Sequence, residues 1–218
     1  MLFRSYLPSH FAETRTEVLH ALIGAHPLAA LVTLGKAGLE ANHIPFELDA
    51  AAGAFGTLRG HVARANPVWR DHQPDADVLL IFQGPHTYVS PSWYATKKET
   101  GKVVPTYNYM VVHAYGRLRV IEDRAWLHAL VSRLTDRHES TQAQPWKVSD
   151  APDDYIEQML KAIVGIEICV TRISGKWKTS QNRPAHDRAG VSAALRASGN
   201  ANAIAMADAV DGASKPPA

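Results

Sequence analysis

One stretch, residues 106–121, constrains the fold more than any other part of the chain. Aromatic and β-branched residues recur there at every second position, which is the period of a β-strand. The residues of one face are Tyr107, Tyr109, Val111, His113 and Tyr115; those of the other are Asn108, Met110, Val112, Ala114 and Leu118. Because both faces are bulky, we expect one to line a barrel interior and the other a ligand site or a subunit contact.

The remaining pattern predicts short antiparallel strands with helices at the flanks. Apolar runs bounded by turn residues predict strands at 28–34, 39–48, 54–62, 78–82 and 164–173. Gly84 and Pro85 are expected to end the 78–82 strand. Apolar residues at helical spacing predict helices at 11–25, 63–72, 123–137 and 152–163. The predicted fold class is therefore mainly β with flanking helices (α+β).

Composition and charge exclude several classes of protein. The 218 residues carry a net charge of +2, which is not the footprint of a nucleic-acid-binding domain. The single cysteine, Cys169, fits a reducing cytosol, and we expect it to be buried as a small apolar side chain. No apolar run approaches the ~20 residues that span a bilayer, and no signal-peptide pattern is present. We therefore expect a cytoplasmic protein that does not insert into a membrane.

The eleven histidines are scattered and do not form a metal-binding pattern. None of their spacings matches HExxH or HxxxH, so we predict no metal site. The sequence also lacks the GxSxG elbow, the P-loop and the GxGxxG dinucleotide motif, so no catalytic residue is predicted. Haem stays open, because a single histidine can ligate it.

Seven segments, taken together, carry a family resemblance. The two long ones are FQGPHTYVSPSWY (82–94) and VPTYNYMVVHAYGRLRV (104–120). The shorter ones are MLFRSYLPSHF (1–11), GHVARANPVW (60–69), LTDRHE (134–139), VGIEI (164–168) and KTSQNRP (178–184). The chain resembles the PaiB family, described as FMN-binding negative transcriptional regulators, over roughly residues 1–185.

This resemblance implies an antiparallel split β-barrel of the FMN-binding, pyridoxamine-phosphate-oxidase-like type. It implies one such domain over 1–185, with helical additions near 123–163, followed by an alanine-rich extension at 186–218 that is partly helical or disordered. In this fold FMN lies at the interface of a homodimer, so a homodimer is expected. We expect 189–218 to be dispensable for the fold and 211–218 to be a disordered tail, because large apolar residues are few.

Two groups of polar residues offer the chemistry that a flat, anionic cofactor such as FMN requires. The first lies at a strand end and the following helix start, where a phosphate is favoured: Arg59, His61, Arg64 and Asn66. The second follows the last strand: Lys178, Thr179, Ser180, Gln181, Asn182 and Arg183. Trp93, Tyr107 and Tyr109 could wall the ring. On chemistry alone, the alternative stays open that the arginines are solvated and the aromatic side chains belong to the core.

The resemblance favours the cofactor interpretation. It implies that segment 61–67 lies on the phosphate side of FMN and that strand 79–83, which ends at Gln83, lies along the ring. Lys178 and the run from Ser180 to Arg183 match the family's KxSQNR pattern and are implied cofactor contacts.

Three functions compete at this point. The resemblance implies a regulator that binds FMN and represses transcription, with DNA as a partner on that basis alone. The helix pair 123–137 and 152–163 does not resemble a helix-turn-helix, since a long loop separates it. The alternative is an FMN-dependent oxidoreductase, or a relative that binds or degrades haem, in which the cofactor supplies the redox chemistry. The third is a flavin carrier, and the regulator is favoured.

Overall fold

The computed structural model describes residues 6–212, and strands dominate this part of the chain. The strands are β1 (Ala12–Glu13), β2 (Leu28–Gly35), β3 (Gly38–Pro45), β4 (Glu47–Asp49), β5 (Thr57–Ala63), β6 (Val78–Val89), β7 (Thr106–Ile121) and β8 (Ile163–Lys178). The helices are α1 (Thr16–Ala25), α2 (Val68–Asp71), α3 (Thr96–Thr100), α4 (Arg124–Glu139), α5 (Asp153–Lys161), α6 (Ala185–Ala197) and α7 (Ala201–Gly212). No helix in this described part has both the length and the apolar character needed to cross a bilayer.

The strands form one sheet in the order β3-β2-β6-β7-β8-β5-β4, with β1 paired to β8. β2 pairs antiparallel with β3 and β6, and β5 pairs antiparallel with β4 and β8. The order starts at β3 and ends at β4, so the sheet is open. The predicted class, an antiparallel sheet with flanking helices, is confirmed.

Contacts divide the described residues into two compact units. The first unit comprises residues 6–22, 83–112 and 174–212; the second comprises 23–82 and 113–173. Three strands, β6, β7 and β8, contribute residues to both units.

The long alternating strand has the predicted bounds, Thr106–Ile121. Its buried side chains include Asn108, Val112, Ala114 and Leu118, which share one face, so this is the face that points inward. Tyr107, on the opposite face, is 54% exposed. Burial therefore largely follows the period-two pattern, with Val111 as an exception, and Asn108 is the polar side chain that is fully buried in this strand.

The predicted 39–48 strand divides into β3 and β4, the predicted 54–62 strand begins only at Thr57, and two further strands run well past their predicted ends. β6 continues through Gly84 and Pro85 to Val89, so these residues do not end it. A Cβ on Gly84 would lie 2.9 Å from Leu22 Cδ1 and 3.2 Å from the Met110 carbonyl oxygen, so this glycine permits a close approach rather than a turn. β8 continues past residue 173 to Lys178, and Lys178 is therefore the last strand residue rather than part of a following loop.

Helix α4 packs closely against β8 within the second unit. A Cβ on Gly165 would overlap Cζ3 of Trp126, so only glycine leaves room for this indole. The helix starts after Asp123, whose carboxylate accepts a hydrogen bond from the Trp126 backbone N–H at 2.7 Å. Arg133 pairs with Glu47 at 2.8 Å farther along. These contacts fix α4, whose last turn lines a cavity described below.

Cys169 is exposed, which corrects the prediction that it is buried. Its neighbours Ile168 and Val170 are buried in β8. Since successive side chains of a strand point to opposite faces, Cys169 points away from the core.

The alanine-rich C-terminal extension is part of the first unit's core. Four side chains of α6 and α7 are fully or almost fully buried in one cluster with residues of the barrel: Val191, Leu195, Met206 and Val210. That 189–218 are dispensable for the fold stays a prediction, and this burial argues against it, because the two helices contribute large apolar side chains to the core. Residues 211 and 212 belong to α7, and the rest of the predicted tail, 213–218, lies outside the described residues.

Candidate functional site

The predicted site residues divide between the two units. Those in the first unit are Gln83, Trp93, Tyr107, Lys178, Ser180, Gln181, Asn182 and Arg183. Those in the second unit are Arg59, His61, Arg64 and Asn66.

A tight turn follows β8 in the first unit. The Gln181 side chain closes it, since its Oε1 accepts from the Thr179 N–H at 2.8 Å and its Nε2 donates to the Trp177 carbonyl. The Arg183 N–H donates to the Ser180 carbonyl at 2.9 Å. Ser180 has a φ of 65° and is the one non-glycine residue with positive φ in the described part of the chain. Such a conformation costs about 1–3 kcal/mol and occurs most often at functional sites.

Three cations surround this turn: Lys176, Lys178 and Arg183. Within residues 6–212, none of them forms an ion pair with a carboxylate. Lys178 Nζ donates to neutral acceptors, the Thr106 hydroxyl and the Tyr107 carbonyl, the latter at 2.6 Å. Burial, reinforced by the charges of Lys176 and Arg183, lowers the pKa of Lys178. We call these three side chains the cation cluster; no carboxylate of the described chain lies within ion-pair distance of it, and Asp187 acts on Arg183 only from farther away.

Aromatic rings hold two of the three cations. Lys176 Nζ lies 5.2 Å from the Tyr6 ring centroid and 5.5 Å from that of Tyr109. The Arg183 guanidinium lies 4.8 Å from the Tyr94 ring centroid. Cation–π contacts place a charge without neutralising it, so the cluster keeps its affinity for an anion.

Two buried polar atoms beside the turn lack a hydrogen-bond partner among the described residues: Asn108 Oδ1 and Thr179 Oγ1. Each residue is 1% exposed. Asn108 Nδ2 donates to Ser180 Oγ at 2.9 Å, so the amide is tied to the strained residue. Sequence reasoning did not select Asn108 or Lys176 as site residues. The available signal was a polar residue on the apolar face of an alternating strand.

The aromatic side chains predicted to wall a ring are only in part accessible. Tyr107 and Tyr88 are 54% and 48% exposed, and their ring centroids lie 6.3 Å apart at 68°. Trp93 is half-buried, and its carbonyl lies so close to Gly190 that a Cβ there would overlap it. Gln83 Nε2 makes only long hydrogen bonds, of 3.4 Å each, to backbone carbonyls. Of the predicted site residues, Gln83 therefore has an amide group without a short hydrogen bond, and Tyr107 has exposed ring surface. Both are available to a ligand.

In the second unit, the polar groups of three predicted site residues already have partners. Arg59 pairs with Glu167 and with Asp49, each at 3.0 Å. Arg64 pairs with Glu122 at 2.6 Å and also donates to the Lys161 carbonyl at 2.9 Å. Their place in a cofactor site stays a prediction, and a ligand there would have to compete with these contacts.

Asn66 and His61 complete the second-unit set. Asn66 Nδ2 donates to Asn42 Oδ1 at 2.7 Å, and its Oδ1 accepts from the Val68 N–H at 3.0 Å. His61 differs, because its Nδ1 is buried and has no partner among the described residues, and burial lowers its pKa. No group of three His, Cys, Asp or Glu side chains within the described ranges could hold a metal ion.

FMN fits the first-unit residues on chemical grounds. Its phosphate dianion needs charge-assisted donors, and the cation cluster supplies three side chains without a carboxylate partner among the described residues. Its ring needs amide and hydroxyl partners with aromatic or apolar surface, which Asn108, Gln83 and Tyr107 offer.

Comparison with known proteins decides the family. The model of the family described as "Putative FMN-binding domain" matches residues 5–172. The chain belongs to this FMN-binding family. A relative in Bacillus subtilis, "Protease synthase and sporulation protein PAI 2", is 32% identical over 206 residues, covering 94% of this chain and 96% of the relative. An uncharacterized protein of Emericella nidulans is 38% identical over 221 residues, covering 85% of this chain and 88% of the relative. The predicted PaiB-type resemblance is confirmed.

Solved structures confirm the split-barrel fold of this FMN-binding family member. The flavocytochrome Anf3 from Azotobacter vinelandii matches with a TM-score of 0.55 and 15% identity, over 77% of this chain and 69% of that chain. The FAD and heme binding protein from Mycobacterium smegmatis matches with a TM-score of 0.53 and 16% identity, over 77% of this chain and 73% of that chain. At such identities the likeness concerns the fold alone. FMN is the cofactor that the family match supports.

Replacing Thr179 with Val tests whether its buried hydroxyl lacks a partner. Val keeps the branched shape and removes the hydroxyl, whose unpaired burial costs about 1–3 kcal/mol. We expect the free energy of unfolding of the cofactor-free protein, measured by urea denaturation, to stay level or rise by about 1 kcal/mol. Thr57→Val is the matched control, because the buried Thr57 hydroxyl donates to the Ala52 carbonyl at 2.9 Å. The free energy of unfolding of Thr57→Val should fall by about 1 kcal/mol. An equal fall in Thr179→Val would show that the Thr179 hydroxyl does have a hydrogen-bond partner.

Proposed function

We propose that this protein is a homodimeric, FMN-binding negative regulator of transcription of the PaiB type, with the flavin at the subunit interface. The observation that carries the cofactor part is the cation cluster of Lys176, Lys178 and Arg183, which forms no ion pair with a described carboxylate. The single cysteine fits the cytoplasmic location that we propose with it.

The phosphate of FMN is the group that we assign to the cation cluster. Lys178 carries a positive charge that burial and two neighbouring cations disfavour, and a dianion beside it would remove that cost. Arg183 lies just after the turn and offers planar, paired N–H donors of the kind that match a phosphate. The left-handed Ser180 fixes the chain between the two cations, so they are held in place before the ligand arrives.

The flavin ring is assigned to the polar and aromatic side chains of the same unit. Gln83 and Asn108 offer amide groups, and Tyr107 offers exposed ring surface. When bound, FMN can exchange electrons with a reductant. The chain's own residues would bind and orient it, and the buried face of β7 would exclude water from one side.

A second copy of this chain is proposed to cover the exposed tyrosines. Tyr88 and Tyr107 form an edge-to-face pair with about half of each side chain exposed. Paired exposed aromatic rings are typical of interfaces, where they bury a large apolar area. A homodimer would bring such a surface against the partner's, as the predicted subunit contact on one face of β7 requires.

The regulatory part of the proposal is supported by the Bacillus subtilis relative, whose name links it to sporulation. The helix pair α4 and α5 does not supply a free basic face for DNA. Three of its arginines have partners: Arg124 pairs with Glu157, Arg133 pairs with Glu47, and Arg137 donates to the Gly24 carbonyl. Any DNA contact is therefore expected to involve other residues, and a salt-dependent gel shift would test it.

An FMN-dependent oxidoreductase, or a haem-binding or haem-degrading protein, is the second candidate. Two structural neighbours are named as a flavocytochrome and as an FAD and heme binding protein. The visible spectrum of the purified protein discriminates between cofactors, because haem gives a sharp Soret band and flavin gives two broad bands. Bleaching of bound flavin by a nicotinamide cofactor would favour the enzyme over the regulator.

Changing Lys178 and Arg183 together to Ala tests the phosphate assignment. Each charge-assisted hydrogen bond is worth roughly 1.5–3 kcal/mol, so the low end, about 3 kcal/mol for two, predicts a loss of about 100-fold in FMN affinity. Flavin fluorescence quenching measures the dissociation constants in the same buffer. Stability of the cofactor-free variant should hold or rise, since mutually repelling cations are removed.

The control is Arg117→Ala, which removes an exposed arginine that pairs with Asp75 in the second unit. It should leave FMN affinity unchanged. Equal dissociation constants for the double variant and the wild type would remove the turn from the site and leave Arg59, His61 and Arg64 as the phosphate candidates.

Light scattering tests the homodimer. We expect the wild type at micromolar concentration to have about twice the chain mass of 23.8 kDa. Tyr88→Asp places a charge on the exposed ring pair and should shift the protein towards monomer. Tyr155→Asp is the matched control, because Tyr155 of α5 is 51% exposed and lies in the second unit. A monomeric wild type, or a Tyr88→Asp variant as dimeric as the control, would contradict the proposed interface.

A further inference from the structure

A cavity of about 320 Å³ lies at the end of α4 in the second unit. It is lined by Pro45, His61, Leu134, Thr135, His138, Glu139 and Trp146. None of these described lining residues is Lys or Arg. A phosphate would therefore meet a carboxylate and no permanently charged cation in this lining, which gives the cavity the opposite preference to the cation cluster.

Glu139 gives the cavity a negative charge. It is half-buried, and within the described part of the chain it belongs to no ion pair. One oxygen, Oε2, accepts a hydrogen bond from the Trp146 backbone N–H at 3.1 Å, which leaves the other oxygen for a ligand. Glu139 is also the last residue of α4, where the helix dipole and the free carbonyl groups add negative potential. An acid at this helix end is unfavourable unless cations accompany it; Arg137 and His138 lie in the same turn, but neither forms an ion pair with Glu139 in the described part of the chain.

His61 supplies a second polar group. Its Nδ1 is buried and has no partner among the described residues, and burial lowers the pKa of the imidazole, which favours the neutral ring. A neutral imidazole can accept a hydrogen bond at one nitrogen. Because Nδ1 has almost no accessible surface, a donor reaches it only after the imidazole turns about its Cβ–Cγ bond, and an ammonium N–H is then a suitable donor.

Trp146 supplies the apolar wall, together with Pro45 and Leu134. Its side chain is 45% exposed, although the Glu139 carboxylate holds its backbone in place. An indole face attracts a cation as well as apolar surface, and tryptophan is the best ring for this purpose.

We propose that this cavity binds a small organic amine, as an ammonium ion with an apolar aryl or alkyl body. The ammonium group pairs with the free Glu139 oxygen and donates to His61, and the apolar body packs on Trp146, Pro45 and Leu134. The cavity volume of about 320 Å³ lies at the lower end of the range for small-molecule sites, which suits a small ligand. The proposal does not depend on FMN binding, and it assigns His61 a ligand other than a phosphate.

Three probes of equal size and different charge test this site: 2-phenylethylamine, 2-phenylethanol and phenylacetate. The readout is the Trp146 indole N–H resonance in nitrogen-15 spectra, assigned with Trp146→Phe. We expect the amine to shift this resonance saturably, the alcohol to bind at least about tenfold more weakly because it lacks the ion pair, and phenylacetate not to bind. The absence of a saturable shift with the amine, or equal binding of the three probes, would overturn the proposal.

Glu139→Gln removes the carboxylate charge while keeping the shape of the side chain. The amide oxygen can still accept from the Trp146 N–H, so the cavity should persist, and a matching circular dichroism spectrum would verify this. Affinity for the amine should fall about tenfold, to that of the alcohol. Glu17→Gln on α1 is the matched control and should have no effect. Unchanged amine binding in Glu139→Gln, or displacement of the amine by FMN at this resonance, would reject an amine site.

Discussion

The fold partly buries the ammonium group of Lys178 without placing a carboxylate within ion-pair distance of it. Lys178 ends β8, a strand that contributes to both units, and its ammonium group lies near Lys176 and Arg183. Because burial and these neighbours lower its pKa, the unfolded chain binds this proton more tightly than the folded chain does. The cofactor-free protein therefore carries the full cost below the lowered pKa, and it gains stability as pH rises from there towards the ordinary lysine value. A bound anion would raise the pKa of Lys178 and so remove this dependence of stability on pH.

Arginine, lysine and asparagine side chains differ between the two units in whether they have hydrogen-bond or ion-pair partners. In the second unit, Arg59 and Arg64 pair with carboxylates, and Asn66 bonds at both ends of its amide, so these groups stabilise the fold. In the first unit, the cation cluster lacks such partners among the described residues, and Asn108 and Thr179 each keep a buried atom unpaired. Since proteins pair nearly all buried polar groups, the unpaired ones are the better candidates for ligand contacts.

Much of the fold could be predicted from the sequence, because alternation and turn residues are local signals. The β7 bounds, the β2–β3 hairpin and α4 were all predicted to within a few residues. Three features depend on distant contacts and could not be: the passage of β6 through Gly84 and Pro85, the outward-facing Cys169, and the burial of α6 and α7. The site was predicted in part. The KTSQNR run indicated the turn, but sequence alone could not show that its cations lack carboxylate partners, because that depends on which distant residues pack beside them.

The most direct test of this account is the pKa of Lys178, measured by NMR with carbon-13-labelled lysine, before and after saturation with FMN. We predict that in the cofactor-free protein the pKa of Lys178 lies below that of the other lysines, because burial and two cations lower it. We predict a clear rise of this pKa when the phosphate of FMN binds. Riboflavin, which lacks the phosphate, should leave this pKa low. An ordinary lysine pKa in the free protein, or one that FMN does not change, would contradict the claim that the end of β8 is an anion site.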